Sequence, residues 1–168
     1  MRPDEHWNTI RKVVSQSFQS SLHFGFATVN IDGTPHITPI GSLILNHNEP
    51  KGYYFELFTA KMPRNLERNK RVCIVAVNSG KWFWIKSLFF GRFATPPAVR
   101  LMGTIGELRE ATQLESEMFR RRIRNLRWFK GYYLLWEKLT MVREIEFDSF
   151  EPVYLGQMTR GHWSKREE

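Results

Sequence analysis

The chain of 168 residues has one cysteine, no long apolar run and no glycine-rich dinucleotide fingerprint. Cys73 cannot close an internal disulfide, and it lies in the apolar stretch Val72 to Val77. Packing is therefore its expected role, and a reducing compartment suits it. No stretch approaches the roughly eighteen apolar residues of a membrane-spanning helix. The start, Met1-Arg2-Pro3-Asp4-Glu5-His6, lacks the apolar segment of a secretory signal. A cytoplasmic location is the expectation. Self-contained catalysis finds no support. There is no Gly-x-Ser-x-Gly elbow, Cys73 sits mid-strand, and the carboxylates form no sharply localised pair. His6, His23, His36, His47 and His162 are scattered without metal-ligand spacing, so no metal is expected. If the protein is an enzyme, a bound cofactor carries its reaction.

What is present is apolar and basic. Hydrophobic residues make up 42% of the chain and aromatics 14%, which suits one folded domain. The formal net charge of +8 implies affinity for anions without naming them. One cationic cluster spans Lys61 to Arg71, and another comprises Arg120, Arg121, Arg122, Arg124, Arg127 and Lys130.

Hydrophobic periodicity predicts an amphipathic helix over 4–19, through Trp7, Ile10, Val14 and Phe18. A hairpin follows, with Leu22 to Ile31 and Thr34 to Leu45 as its strands and Asp32-Gly33 as its turn. Further strands are expected over Tyr53 to Thr59, Val72 to Asn78, Val99 to Glu110 and Met141 to Phe150, with a short helix over 62–70. Thr112 to Glu115 reads as a capping box that opens one long helix to about Lys138, with a possible bend at Gly131. Its expected apolar stripe is Phe119, Ile123, Leu126, Phe129, Tyr133 and Trp136. Residues 79–97, framed by Ser79-Gly80 and Pro96-Pro97, read as an aromatic insertion between strands. Residues 1–20 thus form an N-terminal helix and 21–110 an interrupted core. Residues 111–168, with a polar tail from Gly161, complete the same domain. Short adjacent strands with hairpin turns make the class α+β, mainly β, and favour an antiparallel barrel.

Two segments suggest a ligand. In Thr59-Ala60-Lys61-Met62-Pro63-Arg64-Asn65-Leu66 a strand-like run ends and a helix opens. Unpaired N–H groups and the positive dipole end favour anions there, and Lys61, Arg64 and Asn65 would add to them. A solvated basic helix start would present the same octet. In the strand containing Ile37, Thr38, Pro39, Ile40, Gly41 and Ser42, Pro39 removes a backbone donor and Gly41 a side chain. That pattern fits an edge strand with a bulge. It also fits a bared backbone against which a flat ring lies.

The ordered set Phe26-Ala27-Thr28-Val29, Asp32 to Gly41, Phe58-Thr59, Lys61, Arg64-Asn65-Leu66 and Asn69-Lys70-Arg71-Val72 resembles the pyridoxamine 5'-phosphate oxidase-like family over roughly residues 20–110. The resemblance implies a split β-barrel, a homodimer and FMN at the subunit interface. It also implies that Thr59, Lys61, Arg64 and Asn65 hold the FMN phosphate while Ile37 to Ser42 run along the isoalloxazine ring. The family's Lys-x-Arg-Asn-Leu spacing is one residue longer here, with Pro63 intervening. No counterpart of the Arg-x-His-Asp-Arg segment of true pyridoxamine phosphate oxidases is read between Phe147 and Trp163. The expected activity is therefore a different FMN-dependent oxidoreduction, between a reduced nicotinamide or similar donor and a small acceptor.

The insertion admits three readings. Trp82, Trp84 and Phe89 could cap the barrel or bury against a partner subunit. Trp82 or Trp84 could instead wall a flavin or substrate pocket, with Lys86 or Arg92 meeting an anionic substrate. The stretch Trp82 to Phe93 could also sit at a membrane interface, although no membrane contact is expected if a dimeric barrel uses that surface. Alternatives to the flavin are a haem- or tetrapyrrole-binding relative using His36 or His162, a cofactor-less member, and a nucleic-acid-binding module built on the arginine cluster. That cluster also suits a solvated helix face paired with Glu115 and Glu117.

Overall fold

The computed structural model describes residues 1–136 and 139–163. Its helices are α1 (Trp7–Ser21), α2 (Lys61–Arg68), α3 (Lys81–Phe90), α4 (Gln113–Arg122) and α5 (Lys130–Trp136). Its strands are β1 (Phe24–Val29), β2 (Pro35–Ile40), β3 (Ile44–Leu45), β4 (Lys51–Phe55), β5 (Arg71–Val77), β6 (Ala98–Glu110) and β7 (Met141–Pro152). All neighbours in the seven-stranded sheet are antiparallel, in the order β2-β1-β5-β6-β7-β4-β3.

Chain connectivity forces this sheet to curl. The outermost strands, β2 and β3, are joined by Gly41-Ser42-Leu43 alone. Four residue steps reach at most about 14 Å. Flat, the outer strands would stand about 29 Å apart at the usual spacing. At the closure the Ser42 hydroxyl donates to the Phe55 carbonyl (2.9 Å) and accepts from the Phe55 N–H (3.1 Å), taking the place of a strand neighbour. Gly41 is required beside it, since a Cβ there would lie 2.8 Å from the Leu22 carbonyl oxygen. The expected strand Thr34 to Leu45 is thus two strands on opposite sheet edges.

Alternating burial along β1 and β5 sends Phe24, Phe26, Val72, Ile74 and Ala76 inward. Helix α1 lies across β5 and β6 and closes the core with Trp7, Ile10, Val13, Val14 and Phe18. A largely buried ion pair, Arg143 Nε to Glu56 Oε2 at 2.7 Å, locks β7 to the end of β4. The Tyr54 hydroxyl donates to the same carboxylate at 3.3 Å, and burial drives its pKa upward.

The insertion between strands β5 and β6 holds the helix α3, framed by Gly80 and by Gly91 at φ 65°. Ten residues free of glycine and proline lie between these stops, and the left-handed glycine releases the chain at the helix end. The long helix breaks at Ile123, passes through a 3-10 turn over Arg124–Leu126, and resumes as α5. Phe119 and Trp136 rings lie 6.5 Å apart. A straight helix would separate them by about 25 Å, so the chain must fold back. The expected helix end at Lys138 lies outside the described residues, as does the tail beyond Trp163.

Candidate functional site

Helix α2 buries Met62, Asn65 and Leu66 and turns Lys61 and Arg64 to solvent. Asn65 secures it to the β1–β2 hairpin, because its Nδ2 donates to Thr28 Oγ1 and to Asn30 Oδ1, both at 3.0 Å. The hairpin turn is itself braced by Asp32 Oδ1, which accepts from the Thr34 N–H at 3.0 Å and the Thr34 hydroxyl at 2.5 Å. Those two bonds hold the Asp32 carboxyl below the usual range, with a smaller contribution from Lys61.

The start of α2 has unmet polar capacity. Ala60, before its first residue, offers no side-chain cap. Helix geometry leaves the Lys61 and Met62 N–H groups without intrahelical acceptors, and Pro63 has no N–H to satisfy. Just upstream, Phe58 holds φ 57°, a left-handed conformation that costs a non-glycine residue about 1–3 kcal/mol. The Thr59 hydroxyl that follows is buried and has no hydrogen-bond partner among the described residues. Among the described residues neither Lys61 nor Arg64 forms an ion pair. Two N–H donors, an orphaned buried hydroxyl and two free cations therefore meet at one helix start. These groups fit a phosphate monoester.

Strand β2 is an edge strand paired only with β1, in unbroken register from Phe24↔Ile40 to Val29↔Pro35. Of the two readings of this segment, the edge strand holds but its register with β1 carries no bulge. Pro35, Ile37 and Pro39 are exposed, His36 and Thr38 are half-buried, and Ile40 is buried. The Thr38 hydroxyl lies 3.2 Å from His36 Nε2. Ser42 is buried, with its hydroxyl engaged by Phe55 as described above.

A family model for pyridoxamine 5'-phosphate oxidase matches residues 10–149. The chain belongs to the pyridoxamine 5'-phosphate oxidase family. Solved structures share the split-barrel fold at low identity. An FMN-binding protein from Syntrophomonas wolfei subsp. wolfei is 13% identical over 90% of this chain and 94% of its own, with a TM-score of 0.58. An F420 reductase is 10% identical over 84% and 95%, with a TM-score of 0.52. The haem storage protein HutZ from Vibrio cholerae is 14% identical over 90% and 95%, with a TM-score of 0.50. No curated protein sequence is significantly similar to this chain.

The remaining sequence-selected residues lie elsewhere in this family member. Trp82 and Trp84 sit on α3, which leaves the far end of β5 from α2, about 20 Å along the strand. Trp82 is exposed, whereas Trp84 Nε1 donates to the Asn78 carbonyl at 2.7 Å and its ring meets Phe93 edge-on. Within one chain they do not reach the α2 site. Of the arginine cluster, Arg122 turns inward, stacks on Phe18 at 3.6 Å and donates to the Leu43 carbonyl. Burial lowers its pKa to about 10. Glu115 pairs not with that cluster but with Arg109, at 2.6 Å. Cys73 is half-buried and burial raises its thiol pKa, which disfavours a nucleophilic role.

Lys86, Arg92 and His162, selected separately from the sequence, meet at one site with Arg160. A cleft of ≈ 730 Å³ between α3 and the C-terminal turn is lined by Phe83, Phe90, Lys86, Arg92, Arg160 and His162, among others. Arg160-Gly161-His162 carries the first and third places of the Arg-x-His-Asp-Arg pattern, with Trp163 in place of the aspartate. The half-match was the available signal. Its basic partners, Lys86 on α3 and Arg92 just past its end, lie about seventy residues earlier, which no local pattern displays.

Proposed function

We propose that this chain binds FMN and acts as a homodimeric oxidoreductase, with the cofactor at the subunit interface. The observation that carries this reading is the start of α2, where the unpartnered Thr59 hydroxyl lies beside uncapped N–H groups and unpaired Lys61 and Arg64. Lys61 and Arg64 would neutralise the phosphate, and Thr59 would gain the hydrogen-bond partner it lacks. Asn65, occupied by Thr28 and Asn30, acts by holding α2 in place. The β2 edge from Ile37 to Ser42 would lie along the ring with its backbone. Bound FMN supplies hydride or electron exchange between a reduced nicotinamide or similar donor and a small acceptor.

The test is a visible spectrum of the untagged protein before and after loading with FMN and removing the excess. Retained twin flavin bands support the reading. It fails if the protein retains no flavin, or if Lys61→Ala and Arg64→Ala both bind FMN as wild type does. Light scattering checks the dimer.

A second reading rests on the α3 cleft. His162 lies among Lys86, Arg92 and Arg160 with aromatic walls, a donor set suited to the iron and carboxylates of a tetrapyrrole. An intense Soret band, lost in His162→Ala, would put haem ahead of flavin. His36 is the weaker ligand, because its ring already meets Thr38.

A further inference from the structure

We propose that α3 docks the protein on an anionic lipid bilayer, with Trp82, Ile85 and Phe89 entering the boundary between headgroups and acyl chains. The spacing of these residues, three and then four, places them within about 60° of one another around the helix. They are 75%, 53% and 83% exposed. Lys81 and Lys86 flank the stripe at about 70° on either side, and Ser87, the one buried residue of α3, lies opposite it. Leu88 and Phe90 are exposed as well. A ten-residue helix is about 15 Å long, which suits lying in the interface plane and is too short to cross a bilayer.

Charge selects the occupant. No aspartate or glutamate occurs from Ser79 to Pro97, while Lys81, Lys86 and Arg92 fall within that span. Arg160 adds a fourth cation across the cleft. A second copy seated by a two-fold axis would set this basic face against itself. Lipid phosphates complement it, and the net charge of +8 adds long-range attraction. Lysine stems can follow the apolar stripe while their ammonium groups reach the headgroups. The helix is ordered before contact, because the Ser79 N–H donates to Ser20 Oγ (2.9 Å) and Phe83 stacks on Phe93 (5.4 Å). Little conformational freedom is left to lose on docking.

The full chain tests this in a vesicle sedimentation assay with phosphatidylcholine alone and with phosphatidylcholine containing phosphatidylglycerol. Wild type should bind the anionic vesicles, lose binding as salt rises, and shift its tryptophan emission to shorter wavelength. Phe89→Asp and Lys81→Glu/Lys86→Glu should each bind roughly tenfold or more weakly, with unchanged circular dichroism and flavin retention. The proposal is overturned if wild type ignores anionic vesicles, or if both variants bind them undiminished. It is also overturned if Phe89→Asp converts a dimer to a monomer, since the face would then belong to a second copy. Flavin retention is read on the same samples, so failure here and failure of the FMN reading are distinguishable.

Discussion

The short helices on either side of β5 use their side chains in opposite ways. Helix α2 has three cations outside, Lys61, Arg64 and Arg68, and two large apolar residues inside, Met62 and Leu66, with Asn65 bonded into the hairpin. Helix α3 keeps only Ser87 buried and shows solvent five large apolar residues. The core of one chain therefore accounts for α2 and leaves the outer face of α3 unexplained. The start of α2 presents polar groups without partners among the described residues, whereas α3 presents exposed apolar ones. Helix α4 is the control, because its start is closed by the reciprocal Thr112–Glu115 capping box.

The largest expected effect separates the helices by stability. Leu66→Ala should cost about 2–5 kcal/mol in urea unfolding, while Phe89→Ala stays within about 0.5 kcal/mol. Equal losses would mean that α3 is packed in solution, and the contrast would collapse. Next, Lys61→Ala and Arg64→Ala should each weaken FMN binding by about 1–3 kcal/mol in titration, with little change in unfolding. Thr59→Val sharpens the point. It should lower FMN affinity by about 1 kcal/mol while leaving the ligand-free protein as stable or more so, since the hydroxyl it removes is already unpartnered.

The smallest effect belongs to the control. Thr112→Ala should cost about 1 kcal/mol in thermal unfolding, the usual worth of a helix cap. The Glu115 carboxyl is held below its ordinary range, first by hydrogen bonds from Arg109 and then by those from Thr112. Its contribution is complete above the unfolded pKa and drains as pH falls through the lowered folded value. Glu115→Gln should therefore flatten the acid limb of the stability profile. An unchanged limb would show that the pairing contributes nothing.

Much of this was legible in the chain. Alternation in Phe24 to Val29 and Val72 to Val77 identifies strands, because side chains point to opposite faces at every step. The Asp32-Gly33 turn, the Thr112 capping box and the ordered family residues were local patterns as well. Register across the sheet was not local. Thr34 to Leu45 reads as one strand because nothing in its composition says that Ser42 will meet Phe55 across the closure. The run through Phe119 to Trp136 reads as one helix because periodicity does not reveal that Trp136 returns to Phe119. Aromatic content marked the insertion but could not say which side of α3 faces water.

The sequence by itself determined the class of fold, the family, the basic character of the surface and the residues at the start of α2. These depend on spacing, turn chemistry and charge, which neighbouring residues set. Only the tertiary structure decided that Asn65 holds the helix to its hairpin, that the Thr59 hydroxyl is buried without a partner, and that Arg122 points inward. It also decided that Trp82, Ile85 and Phe89 face outward and that Arg160 and His162 join Lys86 and Arg92. These outcomes depend on which distant residues compete for the same space, and the free energy of burial is settled by the whole packed core.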